Sequence, residues 1–225
     1  MLKRTDLHFE MNPIIKQVQD LNLTGKSLLL NDTSGNLLNG PYTIKPEFVN
    51  TPLGNLLSSL GDIGEARLLQ LFSGDAYTAH TDPDDRLHLS IITNRYCYMA
   101  NLDDGTLHHL PVDGYIWEMD TSIMHSAINL GGTERIHLNV RVKLPKCSGT
   151  TTQLTFSGGD IDWKQSLYMD VMGYINQKIK SKEITGFEKV NDRSVLISCS
   201  SELIIDYIIS TVSAKGFTVQ VSRVE

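Results

Sequence analysis

The sequence predicts a mainly β domain, a sandwich or barrel of short strands with flanking helices, followed by a small α/β unit. Three observations carry this prediction. Polar and apolar residues alternate with period two in Arg86–Ile91 and again in Arg135–Val142, the signature of a half-buried strand. The strand candidates between them are separated by Gly- and Asp-containing turns, roughly every eight to twelve residues, as in all-β folds. Past residue 160 the pattern changes, because Leu167, Val171, Ile175 and Ile179 recur at every fourth position, as on one face of a helix.

Taken in chain order, Pro46 to Leu60 has helical character and meets a stop at Gly61. Arg67–Phe72 is a strand candidate closed by Ser73-Gly74-Asp75, and Tyr96–Leu102 is another. Asp103-Asp104-Gly105 carries the Asp-Gly hairpin signal. A short strand follows over Thr106–Leu110, and Val112-Asp113-Gly114 turns the chain into Tyr115–Met119. Leu144-Pro145-Lys146-Cys147-Ser148-Gly149, three threonines and Ser157-Gly158-Gly159 read as a linker or surface loop over about 144–160. The expected division is therefore a β domain over 1–148 and an α/β unit over 149–225. In that unit Ser194–Cys199 reads as a strand. Ser200-Ser201-Glu202 can cap a helix with Ile204, Tyr207 and Ile208 inward and Gly216 as its stop, and Phe217–Val221 closes as a strand.

Composition narrows the function. The 225 residues carry a formal net charge of -6 with no run of Lys and Arg, which argues against a nucleic-acid partner. No segment approaches the roughly 18 apolar residues of a membrane span. Cys97, Cys147 and Cys199 are odd in number and far apart, with no CxxC, so neither a disulfide framework nor a zinc knuckle is expected. The first residues, Met1 to Asp6, carry charge with no apolar stretch behind it. No signal peptide is expected, and a reducing cytoplasmic location is.

One constellation carries chemistry. His80-Thr81-Asp82 follows a strand candidate, and residues two apart on a strand point to one side. His125 lies forty-five positions further on, just past another strand candidate. Two His and one carboxylate with open positions is the facial triad of non-haem Fe(II) sites. Arg135 stands ten residues past His125, and a guanidinium near such a metal can grip a carboxylate through two parallel hydrogen bonds. The same residues have blander readings. His80-Thr81-Asp82 runs into a turn at Pro83-Asp84-Asp85, and Arg86 could instead pair with Asp84 or Asp85. Trp117 reads as core, and Asn129 as a residue that satisfies loop backbone.

The stretch Arg67–Val142 resembles the 2-oxoglutarate- and Fe(II)-dependent oxygenases, in particular the aspartyl/asparaginyl β-hydroxylase-like family with its proline hydroxylase-like members. The resemblance stands on Ala66-Arg67-Leu68, His80-Thr81-Asp82, Arg86-Leu87-His88, Thr93-Asn94, Gly114-Tyr115-Ile116-Trp117, Met119-Asp120, His125-Ser126-Ala127-Ile128-Asn129 and Arg135-Ile136-His137-Leu138. It covers about a third of the chain and says nothing of 150–225. It implies a double-stranded β-helix (a jelly roll, cupin-like) with His80, Asp82 and His125 as iron ligands. Arg135 would bind the distal carboxylate of 2-oxoglutarate, with Arg86 and His88 also in contact with it. Arg67 and Asn94 become substrate candidates. The implied activity is hydroxylation of an amino acid, a peptidyl side chain or a related small substrate by O2, with release of succinate and CO2.

Two other readings compete. One is a cupin-like metalloenzyme that does not use 2-oxoglutarate, though its first motif wants His-x-His plus a Glu where this chain has His-x-Asp. The other is a non-catalytic jelly-roll binding module, for which an intact metal triad has no evident use.

Overall fold

A computed structural model describes residues 1–158, 171–191 and 193–224. The chain opens with strand β1 (Leu2–His8) and helix α1 (Met11–Asp20), then the short strands β2 (Ser27–Leu29), β3 (Asn31–Thr33) and β4 (Tyr42–Ile44). A single 3-10 turn (Pro46–Phe48) precedes helix α2 (Pro52–Ser59). Strands β5 (Ala66–Leu71), β6 (Arg86–Ile92), β7 (Cys97–Asn101), β8 (Leu107–His108), β9 (Tyr115–Met119), β10 (His125–Asn129) and β11 (Arg135–Arg141) follow. The last part holds β12 (Thr151–Gly158), α3 (Met172–Lys180), β13 (Ile184–Asn191), β14 (Ser194–Cys199), α4 (Glu202–Ser213) and β15 (Phe217–Val224).

The first part is a double-stranded β-helix. Its larger sheet has the order β1-β9-β6-β11-β5-β2 and its smaller sheet the order β10-β7-β8, every pairing antiparallel. Alternation along the strands gives the larger sheet two chemically different faces. Leu68, Leu89, Ile91, Ile136, Leu138 and Val140 point outward, where Ile14 and Val18 of α1 and Leu53, Leu56 and Leu57 of α2 cover them. Full burial of each such side chain stabilises by about 1.5–3 kcal/mol. The residues between them, Arg86, His88 and Ser90 on β6 and Arg135, His137 and Asn139 on β11, point the other way and are buried or half-buried. Between the two sheets, Leu71, Met99, Leu110, Met119 and Ala127 form a small apolar plug against which Trp117 and Tyr77 pack.

The second part has the strand order β13-β14-β12-β15, all antiparallel. With α3 after β12 and α4 after β14, this is the split β-α-β arrangement. Leu154, Phe156, Ile175, Phe187, Ile197, Ile204 and Ile208 make its core, to which Leu38 and Leu144 of the first part also contribute.

Several expectations need correction. The Pro46–Leu60 helix is broken, because Asn50 takes a left-handed φ of 62° and Thr51 starts α2 afresh by accepting from Gly54 N at 3.2 Å, with Pro52 in the first helical position. Residues 151–158 are no loop but strand β12, flanked on both sides by paired strands. Thr is a β-former, and Leu154 and Phe156 alternate with polar neighbours. Tyr207 is half exposed, not inward; Ile205 and Val212 join Ile204 and Ile208 on the buried face of α4. Leu167, the first residue of the four-residue repeat, lies outside the described residues. No helix among the described residues is long and apolar enough to cross a membrane.

Candidate metal centre

Residues 76–80 run alongside β10, and the chain forms isolated bridges at Ala76–Ile128 and His80–His125. His80 and His125 therefore face each other with ring centroids 4.4 Å apart. Each imidazole is oriented by a backbone carbonyl, with His80 Nδ1 2.7 Å from Thr78 O and His125 Nδ1 2.8 Å from Ile123 O. A proton on Nδ1 leaves the lone pair on Nε2, the form a metal needs. Both Nε2 atoms approach one carboxylate oxygen, Asp82 Oδ2, at 3.7 and 3.8 Å. A single ion with bonds of about 2.1 Å spans such separations. These three residues form a cluster able to hold a metal ion.

The electrostatics suit a cation. Burial lowers the pKa of His125, and neighbouring His80 lowers it further, so its imidazole is neutral and available as a ligand. Burial alone would raise the Asp82 carboxyl, but Arg86, His80, Arg141 and His125 outweigh it and hold it below the usual carboxylate range.

Arg86 pairs with two carboxylates at the cluster. Its Nη2 lies 2.9 Å from Asp82 Oδ1 and its Nη1 2.7 Å from Asp84 Oδ2. Its two terminal nitrogens are engaged by carboxylates of the metal turn. Arg86 thus orients the oxygen of Asp82 opposite the one the histidines face. The pairing with Asp84 foreseen from the sequence is present, though buried rather than on the surface. Arg141 adds a second guanidinium to Asp84 at 2.8 Å.

Arg135 lies deeper, 1% exposed. Its Nη1 meets Met99 Sδ at 3.4 Å, its Nε has no hydrogen-bond partner, and no carboxylate pairs with it among the described residues. An arginine stays protonated in proteins, and a buried charge is costly without a counter-charge. The side chains around the same interior repeat the pattern. His88 Nδ1, both ring nitrogens of His137, Ser90 Oγ, Trp117 Nε1 and Tyr77 OH are buried without a hydrogen-bond partner among the described residues. Register explains the grouping: His137 stands opposite Ser90, Asn139 opposite His88, and His88 opposite Trp117. Burial, then Arg135 and Arg86, push His88 down to about 3. Burial, Arg135 and His88 likewise hold His137 well below the ordinary histidine range. Both imidazoles are neutral, and their rings sit 6.0 Å apart.

The sequence pointed to Arg135 and His88, and its alternation puts Ser90 on one strand face with Arg86 and His88, but nothing in it singled out Tyr77. For His137 the available signal was that it shares the alternating face with Arg135. Other candidates have structural work. Asn94 donates to Thr133 O at 2.9 Å and Asn129 to Thr133 O at 2.8 Å, so both secure the 129–133 turn. Arg67 pairs with Glu65 at the wall of a cleft of about 430 Å³ that opens beside His80 and is also lined by Tyr77, Asn139 and Arg141.

The comparisons with known proteins bear on this region. No curated protein matches the chain. Among solved structures the chain is similar to a prolyl-4-hydroxylase from Pseudomonas putida, at 14% identity and a TM-score of 0.42 over 63% of this chain and 91% of that one. It is also similar to a cupin domain from Bordetella pertussis Tohama I, at 15% identity and a TM-score of 0.32 over 35% of this chain and 80% of that one. The family model that matches, that of the aspartyl/asparaginyl β-hydroxylases, covers residues 41–145, a span that contains His80, Asp82, Arg86, His88, His125 and Arg135.

Proposed function

We propose that this hydroxylase-family chain binds Fe(II) through His80, Asp82 and His125, uses 2-oxoglutarate, and hydroxylates an amino acid, a peptidyl side chain or a related small substrate. The observation that carries the reading is Arg135, a buried guanidinium without a carboxylate partner among the described residues, inside the same β-helix as the His/Asp/His cluster. A small dicarboxylate with one end at the metal supplies the missing counter-charge.

When bound, Fe(II) and 2-oxoglutarate supply with O2 the oxidising chemistry that converts a substrate C–H to C–OH, with release of succinate and CO2. The chain's own residues do the rest. His80 and His125 offer Nε2 because Thr78 O and Ile123 O hold their Nδ1 atoms. Arg86 keeps the Asp82 carboxylate ionised and turned to the histidines. Arg135 would pair with the far carboxylate of 2-oxoglutarate, which a guanidinium can do through two parallel hydrogen bonds. Neutral His88 and His137 each carry one ring N–H, and with Ser90 and Trp117 they give the pocket hydrogen-bond donors without further charge. Leu71, Met99, Met119 and Ala127 keep its floor free of water. The cleft beside His80, with Arg67, Glu65 and Tyr77, receives the substrate.

The test is anaerobic titration of the metal-free protein with Fe(II) and 2-oxoglutarate, followed by visible absorption. A charge-transfer band that needs both additions is expected, together with succinate release once oxygen and a substrate are supplied. Iron binding with no such band overturns the use of 2-oxoglutarate and favours a cupin-like metalloenzyme. No metal binding leaves a jelly-roll binding module.

A further inference from the structure

The turn that carries Asp82 has no regular structure of its own, yet the Asp82 side chain is a metal-ligand candidate that must be held in place. Part of what holds it comes from the second half of the chain. Three residues of α3 face the turn: Gly173, Asn176 and Lys180. Their spacing of three and then four puts them on one stripe of the helix. Ile175, about 100° around the helix from Asn176, is buried in the core of the split β-α-β unit, as is Met172.

The stripe makes three kinds of contact. Gly173 N, one of the unpaired N–H groups in the first turn of α3, donates to Thr81 Oγ1 at 3.0 Å, between the two ligands His80 and Asp82. Asn176 is 2% exposed, and its amide nitrogen lies 3.3 Å from the backbone carbonyl of Asp82, 3.1 Å from Asp85 Oδ1 and 3.3 Å from Thr121 Oγ1. Lys180 Nζ bridges Asp85 Oδ2 at 2.9 Å and Asp120 Oδ1 at 2.7 Å. The fit is close. A Cβ on Gly173 would stand 2.5 Å from Ser122 O and 3.1 Å from the Thr81 side chain, so only glycine lets the helix approach this far.

We infer that Asn176 is a positioning residue for the metal, and that the split β-α-β unit is a working part of the metal centre through α3. The inference rests on the iron reading of His80, Asp82 and His125. Asn176 touches no ligand atom; it ties the carbonyl of Asp82 to Asp85 and Thr121, so the turn and the 120–125 segment leading to His125 move as one. Residues that hold metal ligands from outside typically change affinity by about 10- to 100-fold.

The experiment is a Co(II) titration of the intact chain, read by the visible ligand-field spectrum, with folding checked by circular dichroism. Asn176→Ala is expected to weaken Co(II) binding at least about tenfold and to alter the spectrum. Ile175→Val, one methyl group removed from the core-facing side of the same helix, is expected to lower the melting temperature and leave affinity and spectrum as in the wild type. An Asn176→Ala protein that binds Co(II) with wild-type affinity and spectrum overturns the inference, as does an Ile175→Val protein that loses affinity equally. Hydrogen exchange on the wild-type chain needs no variant: Co(II) should slow the amides of α3 along with those of 81–86. Slowing at 81–86 alone also overturns it. A wild-type chain that binds no Co(II) overturns the metal reading itself, a result distinct from a metal-binding wild type with unaltered variants.

Discussion

His80 and His125 form a hydrogen-bonded antiparallel pair: His80 N donates to His125 O at 3.0 Å and His125 N to His80 O at 2.9 Å. Directly opposed residues on paired strands put their side chains on the same face. The two imidazoles therefore converge because of backbone pairing, with no need for a metal to draw them together. Substituting either side chain leaves that pairing intact. His80→Ala and His125→Ala should each fold as the wild type by circular dichroism. Each should lose affinity for Fe(II) or Co(II) by more than the about 10- to 100-fold typical of an outer partner. Retention of wild-type affinity by either variant would remove that histidine from the ligand set.

Arg135 is predicted to serve the co-substrate and not the metal. Arg135→Ala should leave Co(II) binding unchanged. It should raise the 2-oxoglutarate concentration needed for half-saturation by about 10- to 150-fold, the equivalent of about 1.5–3 kcal/mol for hydrogen bonds to a charged group. Arg135→Lys should recover little of this, since an ammonium cannot form the two parallel bonds. Titration of the charge-transfer band in each variant measures the effect directly. An unchanged requirement would mean that the far carboxylate is held elsewhere, with His88 and His137 as the next residues to test.

The candidate metal cluster and Arg135 stand out in the sequence because their information is local: His-x-Asp shares one side of an extended segment, and His125 and Arg135 open β10 and β11. The rest of the pocket was not legible for the opposite reason. Ser90, His137 and Trp117 come from three strands, and each alone is an ordinary strand residue; only the antiparallel register places them together. Helix α1 escaped notice because Ile14 and Val18 are its only buried positions, too few to make a period. Strand β12 was hidden by threonines read as turn residues. The link from Asn176 to Asp82 spans 94 positions, and no motif spacing reports a contact at that distance.

Arg86 distinguishes two pictures of the pocket. If it served 2-oxoglutarate, as the resemblance implies, Arg86→Gln would act on the co-substrate alone. Its geometry, bonded to Asp82 and Asp84, predicts an effect on the metal first. Arg86→Gln should weaken Co(II) binding by about 10- to 100-fold, because the Asp82 carboxylate loses both its orientation and the charge that keeps it ionised. It should also destabilise the fold, since Asp84 is fully buried and would keep only Arg141 as a charged partner among the described residues. Parallel Co(II) and 2-oxoglutarate titrations decide, and unaltered metal affinity with weakened 2-oxoglutarate binding would restore the first picture.

The neutral buried histidines make stability depend on pH. His88 is held down to about 3 in the fold, against about 6.5 in an unfolded chain. Between these values the unfolded chain binds a proton that the native state does not. Stability therefore rises with pH across this window and is lost as pH falls below about 6.5. The loss is about 1.4 kcal/mol per pH unit for each such group. His137 and His125, also lowered, act with the same sign. Asp82 does not interfere above pH 5. Its carboxyl is lowered in the fold, so its contribution is complete above the unfolded value near 3.9 and is lost only at lower pH. Urea unfolding of the metal-free protein at pH 7.5, 6 and 5 should show a falling midpoint, and His88→Gln should remove one proton's share of the slope. If His88→Gln keeps the full wild-type slope, His88 is not the neutral buried group described above, and its place as a hydrogen-bonding wall of the co-substrate pocket goes with it.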